Sequence, residues 1–193
     1  MGYKVSWLAR SGDSGKELIS ASRRKPTGEL VPTPSNGYQL IELTDTSWVV
    51  LLTDGAEYLE DLDAEMAQSL SEGGCEILRF WCSDTIMATQ LECYREGVRV
   101  WSIGYDCEET EALVIEGEVP PITHDLLKTL VAKQRADPEV DFVYELTAKL
   151  GSELTGFRHD QSLGKGSPPA FRALDFESDR TPVPKQPWWK RWL

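Results

Sequence analysis

The chain has few residues of the kinds that build metal sites. It contains only two histidines, His124 and His159. Its four cysteines form no CxxC pair and stand at Cys75, Cys82, Cys93 and Cys107. A structural zinc site needs four Cys or His ligands, usually as two close pairs. The sequence therefore predicts no metal and no cofactor.

Long apolar runs are also missing. The longest, Trp48–Leu52, is far shorter than a membrane span. The first six residues contain no apolar stretch of the kind that signal peptides carry. We therefore expect a cytoplasmic protein with unpaired thiols, because disulfides are rare in reducing compartments.

Positive charge is scarce everywhere except at the C-terminus. The formal net charge is −12. Residues 180–193, the basic tail, hold Arg180, Lys185, Lys190 and Arg191 and no acid. An acidic body repels phosphate, so we do not expect nucleic acid as a partner. We expect a protein with a basic surface instead. The tail also contains Trp188, Trp189 and Trp192, and this Trp-rich basic end predicts an interaction segment that contacts a membrane surface or another protein.

Two apparent ligand-binding motifs fail on spacing. Residues 12–17 resemble a phosphate loop, but the first interval is too short and Glu17 replaces the required hydroxyl residue. The acidic run 54–65 does not place its acids at the ligand positions of a calcium loop. We interpret it as the solvated start of a helix.

The pattern of strands predicts an α+β fold with a mainly antiparallel sheet and helices on one face. A first strand at 3–7 is followed by a short helix at 16–25, a loop through Pro26 to Gly37 and a hairpin at 38–53. The centre predicts a four-strand meander at 75–83, 85–95, 98–105 and 112–116, with Glu96-Gly97 as a hairpin turn. A helix starting near Thr123 follows.

The C-terminal third is less clear in its pattern. Residues 139–150 fit a helical period, yet Val140, Phe142, Val143 and Tyr144 favour strand. We predict a strand at 140–146 and a helix at 147–154. Residues 1–160 are then a single α+β domain, and 161–193, rich in Pro, Gly and Ser, are a flexible linker and basic, Trp-rich tail.

Candidate chemistry is confined to a few polar residues near strand and helix ends. Tyr105 and Asp106 end a predicted strand, and Arg158 and His159 follow the last predicted helix; these four form a candidate polar site. A nucleophilic pair of Cys82 or Cys107 with His159 and Asp160 is an alternative, although no local signature accompanies either. No catalytic residue is assigned.

Several segments resemble a family of small acidic bacterial cytosolic proteins that has no established activity. The similarity is carried by Glu92, Tyr94, Gly97 and Trp101-Ser102-Ile103, by Val114, Gly117 and Pro120, and by Val140-Asp141-Phe142 and Leu154–Asp160. It implies a single α+β domain and a bacterial source, and it transfers no catalytic residue.

Three functions remain open at this stage. The leading one is a non-catalytic protein-interaction module of the immunity or adaptor kind. The alternatives are an enzyme of unrecognised type with a polar site near Tyr105/Asp106 and Arg158/His159, and weak peripheral membrane contact through the tail.

Overall fold

A single antiparallel sheet organises the chain. A computed structural model describes residues 4–12, 15–31, 37–54, 61–109, 112–160 and 171–176. Its strands are β1 Lys4–Ser11, β2 Arg24–Val31, β3 Gly37–Leu43, β4 Trp48–Asp54, β5 Ile77–Ser83, β6 Ala88–Arg95, β7 Val98–Asp106, β8 Leu113–Gly117 and β9 Phe171–Phe176. Its helices are α1 Lys16–Ser22, α2 Ala64–Ser71, α3 Ile122–Ala136 and α4 Leu146–Thr155, with a 3-10 turn at Val143–Glu145. The predicted α+β class with a mainly antiparallel sheet is confirmed.

The first strand in sequence is the central strand in space. The sheet order is β2-β9-β3-β4-β1-β5-β6-β7-β8, and every neighbouring pair is antiparallel. Trp7 and Ala9 face one hydrophobic cluster, and Leu8 faces the other. Because successive side chains of a strand point to opposite faces, β1 is covered on both sides.

The central meander forms as predicted. Strands β5 to β8 are neighbours in the sheet in chain order. Glu96 and Gly97 join β6 to β7 with φ angles of 49° and 74°. Positive φ at both turn residues is the geometry that matches the twist of a two-residue hairpin.

Helices cover both faces of the sheet, so the prediction of helices on one face is wrong. Leu18 of α1 and Ala67 of α2 belong to one apolar cluster, while Leu130 of α3 and Leu150 of α4 belong to the other. The central strands are apolar on both faces, and two layers of helices are needed to cover them.

Four aromatic rings, the aromatic cluster, join distant parts of the chain on the α4 face. Trp7 stacks on Phe80 with ring centroids 5.0 Å apart and meets the edge of Phe157 at 6.1 Å. Phe157 in turn meets Phe171 of β9 at 6.3 Å. Helix α4 approaches Trp7 through Gly151, where an added Cβ would lie 3.0 Å from the indole ring. The cluster therefore connects β1, β5, β9 and the end of α4.

Two strands lie where the sequence predicts irregular structure. Residues 24–31, most of them assigned to a loop, form β2, which tolerates Pro26 because it is an edge strand. Residues 171–176, within the predicted linker and tail, form β9 between β2 and β3. Phe171 and Leu174 of this strand are buried, and the apolar area that they remove from water explains why so short a segment joins the sheet. The tail residues Trp188 to Trp192 lie outside the described residues.

The predicted strand at 140–146 is wrong. The backbone turns at Val143–Glu145 and continues into α4. Backbone N–H groups here donate to side chains instead of to a neighbouring strand: Phe142 to Gln134 at 2.7 Å and Tyr144 to Asp141 at 3.3 Å. Gly156 ends α4 in the left-handed conformation, as its position predicts.

The role of β9 in the fold can be tested with two phenylalanines of the same strand. Phe171 is 2% exposed and Phe176 is 51% exposed. We expect Phe171→Ala to lower the free energy of unfolding by about 3–5 kcal/mol, because it removes a buried ring from the aromatic cluster. Phe176→Ala is the matched control and should cost about 1 kcal/mol or less. Urea unfolding followed by far-UV circular dichroism measures both. Equal, small losses would show that residues 171–176 do not belong to the core.

Candidate functional site

A cleft opens where β5 and β6 meet α4. Its volume is about 350 Å³, at the lower end of the range for ligand sites. Its most buried lining residues are Phe80, Cys82, Thr89 and Thr147, and the charged ones are more exposed. The lining residues are Phe80, Cys82, Asp84, Met87, Thr89, Tyr144, Glu145, Thr147, Ala148, Arg158, His159 and Asp160.

The structure brings Cys82 and His159 into contact at this cleft. The Cys82 sulfur lies 3.6 Å from Nε2 of His159. Cys82 is buried in β5, one residue before the strand ends. The other candidate thiol, Cys107, does not contact His159. Cys107 is exposed, and its sulfur lies 3.6 Å from the Ile86 carbonyl oxygen. Only the Cys82 pairing is therefore possible in this fold.

The loop after α4 holds His159 in place. Phe157, two residues before His159, is buried in the aromatic cluster, and the His159 ring packs against Phe80 at 5.3 Å. Arg158 makes two hydrogen bonds to the Asp160 carboxylate, at 2.6 and 2.8 Å. Both neighbours of His159 are thus fixed, and the imidazole points into the cleft beside Cys82.

Both members of the pair are neutral at physiological pH. Burial, and after it the carboxylates of Asp84, Asp160 and Asp54, raise the pKa of the Cys82 thiol to about 12, while a backbone hydrogen bond to Val5 opposes them. Burial lowers the pKa of His159 to about 4, although Asp160 and Asp84 act in the opposite direction. Removal from water disfavours the charged form of each group.

Side-chain hydrogen bonds tie the cleft wall to its rim. The Tyr144 hydroxyl donates to Asp84 at 2.7 Å, so the 3-10 turn is fixed to the β5–β6 turn. Burial raises the pKa of Tyr144, and its hydrogen bond to Asp84 adds to this effect. Deeper in the wall, the hydroxyls of Thr89 and Thr147 lie 2.8 Å apart and join β6 to α4.

The four residues of the predicted polar site do not share one cavity. Arg158 and His159 line the cleft. Tyr105 meets the edge of Tyr144 at 6.0 Å but donates its hydroxyl to Asp141 and faces a neighbouring shallow depression. Asp106 accepts the backbone N–H of Glu108 and so stabilises its own turn. Tyr105 and Asp106 therefore lie next to the cleft that Arg158 and His159 line, and the four residues do not form one site.

Carboxylates are concentrated at the end of the sheet beside the cleft. Val5 pairs with both Asp54 and Cys82, which places the last residues of β4 and β5 at the same end. The turns 84–87 and 106–109 at this end contain acids and no base. We call this region the acidic end; it comprises Asp54, Asp84, Asp106, Glu108 and Glu109, with Lys4 as a base opposite Ser83. The opposite end carries arginines and acids together, namely Arg10, Arg95 and Arg99 with Glu72, Glu76 and Glu96.

The other strongly charged cluster is internally neutralised. Glu92 is buried in β6 and accepts hydrogen bonds from Arg79 at 2.7 Å and from Arg99 at 3.1 Å. Arg99 also pairs with Glu116 at 2.7 Å. Because buried charges persist only when they are paired, this cluster is a structural network across the meander.

Within the described residues, no group of three or more His, Cys, Asp or Glu side chains is placed to hold a metal ion. None of the described helices has the length and apolar character needed to cross a membrane.

Sequence reasoning missed Asp84 and Tyr144. Asp84 follows a strand directly, and loops at strand ends often carry functional groups, so its position was a usable signal. Tyr144 was assigned to a strand and could not be placed on a cleft wall from that assignment.

The protonation of His159 gives a pH-dependent prediction for stability. Because its pKa is about 4 in the native state and about 6.5 when unfolded, the unfolded state binds the proton more tightly between these values. The contribution of His159 to the free energy of unfolding is therefore fully present above pH 6.5, and it is lost as the pH drops toward 4. Between pH 7 and pH 5, the free energy of unfolding should fall by about 2 kcal/mol more in the wild type than in His159→Gln. Urea unfolding at the two pH values measures the difference, and parallel losses in both proteins would contradict the burial of His159.

No family model, curated protein or solved structure matches the chain. The resemblance to a bacterial family of unknown activity therefore stays a prediction. What the site does must be argued from its own geometry and charge.

Proposed function

We propose that this chain is a non-catalytic protein-interaction protein that binds a basic segment of its partner at the acidic end of the sheet, with the cleft receiving one cationic side chain. Immunity and adaptor proteins are the functional class that this description fits. The observation that carries the proposal is the negative electrostatic environment of a cleft shaped to hold a ligand.

Burial is the largest cause of the raised pKa of Cys82, and the carboxylates of Asp84, Asp160 and Asp54 act in the same direction. Burial disfavours any charge, as the lowered pKa of His159 shows, so a cationic head belongs beside the partly exposed Asp84. There the carboxylates favour a cation through Coulomb attraction. The paired cations Arg158 and Lys149 reduce this effect at the rim but do not reverse it at Cys82.

The cleft combines this charge with apolar side chains. Lysine and arginine have long apolar stems that pack on apolar surface while the charged head reaches polar partners. Met87 and Ala148 provide that surface, and Asp84 lines the same cleft. An arginine of a basic partner therefore suits the cleft.

The neutral Cys82–His159 pair supports binding over nucleophilic catalysis. The thiolate, not the thiol, is the reactive form of cysteine, and a catalytic pair lowers the thiol pKa. Here burial and three carboxylates raise it to about 12. We accordingly assign Cys82 and His159 to the floor of a binding cleft.

A defined basic peptide tests the proposal. Tetra-arginine is titrated into the full chain at low salt, and amide signals are followed by NMR. We expect shifts at Asp84, Tyr144 and His159. The double variant Asp84→Asn/Asp160→Asn should bind about five- to thirtyfold more weakly, because it removes two charges that contribute about 0.5–1 kcal/mol each. Raising the salt concentration should weaken binding to the wild type.

A charge-matched control separates the cleft from the general acidity of the protein. Glu72 and Glu96 are exposed near the opposite end of the sheet, so Glu72→Gln/Glu96→Gln changes the net charge by the same amount. It should leave the affinity nearly unchanged. Equal weakening by both double variants, or shifts that avoid the cleft, would contradict the proposal.

A further inference from the structure

We infer that the basic tail of this same chain docks in the cleft and competes with the basic partner, so that the protein carries its own substitute ligand. This inference rests on the proposed function of the cleft, and it commits to residues 180–193 as the occupant. Three observations carry it: where the described chain ends, how far the following residues reach, and the match of charge and ring character.

The described chain ends at the same end of the sheet as the cleft. Leu174 of β9 pairs with Tyr38 of β3, and successive register pairs continue this row through Thr53 and Ser6 to Trp81 of β5. Phe176 lies two residues beyond Leu174, just as Ser83 lies two residues beyond Trp81. The chain therefore leaves β9 toward the acidic end.

The remaining chain is long enough to reach the cleft. In the sheet order, β9 and β5 are separated by four inter-strand spacings, or about 19 Å. Trp188 lies twelve residue steps beyond Phe176, which span up to about 40 Å. Trp188 and the residues after it can therefore reach the cleft without displacing any described strand.

The chemistry of the tail complements that of the cleft. Residues 180–193 hold four of the chain's 20 basic residues and none of its 32 acids. Lys190 and Arg191 stand between Trp189 and Trp192, so cations and indoles occur within one short stretch. The cleft offers the carboxylates of Asp84 and Asp160 and the apolar side chains of Met87 and Ala148. A sulfur–aromatic contact with Met87 favours an indole as readily as an arginine stem.

Intramolecular docking needs little intrinsic affinity to compete. A segment tethered at this distance has an effective concentration in the millimolar range. A tail with a dissociation constant of about 1 mM for the cleft would therefore occupy it for about half of the time. Tighter docking would weaken the apparent affinity for an external basic ligand in proportion to its occupancy.

The experiment uses the full chain with the tail altered by substitution. The tail variant carries Trp188→Ser, Trp189→Ser and Trp192→Ser, and the control variant carries Val183→Ser and Gln186→Ser in the same segment. We expect the amide signals of Asp84, Tyr144 and His159 to differ between wild type and tail variant at low salt, and much less at high salt. Tetra-arginine should bind the tail variant about threefold or more tightly than it binds wild type or the control variant.

Each other outcome has a defined meaning. Unchanged cleft signals, with equal peptide affinity in all three proteins, would overturn tail docking while leaving the proposed function in place. Failure of the peptide to bind even the tail variant would overturn the proposed function and tail docking with it. Flotation of the wild type, but not the tail variant, with vesicles containing phosphatidylserine, together with unchanged cleft signals, would assign the tail to a membrane surface and overturn docking in the cleft.

Discussion

The aromatic cluster is the interaction on which both the fold and the cleft depend. Trp7 lies on the central strand and contacts both Phe80 and Phe157. Phe157 extends the cluster to Phe171, which brings β9 into the core. Large rings bury much apolar area each, and edge-to-face geometry adds to that gain. Four rings thus connect segments that are more than 160 residues apart in sequence.

The same cluster determines where the cleft lies. Phe80 forms part of its floor and packs against the His159 ring. Phe157 fixes the backbone immediately before Arg158 and His159. Because Cys82 follows Phe80 by two residues, it points to the same face and meets His159. The contact between Cys82 and His159 is therefore a consequence of core packing, and it needs no catalytic explanation.

Charge then distinguishes this end of the sheet from the other. Arginines beside Glu76, Glu92 and Glu116 neutralise the acids of the meander. At the acidic end, the turns after β5 and β7 have no such arginines of their own. The ligand that we propose for this cleft is therefore cationic, and it comes from a partner or from the chain's own C-terminus.

Sequence reasoning succeeded where structure is local. The meander was predictable because its strands are rich in β-branched and aromatic residues and are joined by short turns such as Glu96-Gly97. Strand β9 was not predictable, because its pairing with β3 is non-local and its neighbours in sequence resemble a linker. The β-favouring residues at 140–144 were misleading because the backbone N–H groups of Phe142 and Tyr144 donate to Gln134 and Asp141, and this backbone makes no strand pairing.

The candidate site was predictable only in part, for the same reason. Arg158 and His159 stood out as a polar group after a helix, but a single sequence does not show which cysteine they meet. The choice of Cys82 over Cys107 follows from the register of β5 and the position of the α4 C-terminus. Asp84 and Tyr144 also line the cleft, and the hydrogen bond that joins them links residues that are 60 positions apart in sequence.

The central claim is that the aromatic cluster holds His159 in its buried position beside Cys82. The most direct test is an NMR titration of the His159 imidazole in the wild type and in Phe157→Leu. The wild-type ring should stay neutral until the pH approaches 4. In Phe157→Leu the smaller side chain loosens the loop and admits water, so the pKa should rise toward the ordinary value of about 6.5 while the protein remains folded. A folded Phe157→Leu protein whose imidazole still titrates near pH 4 would contradict the claim.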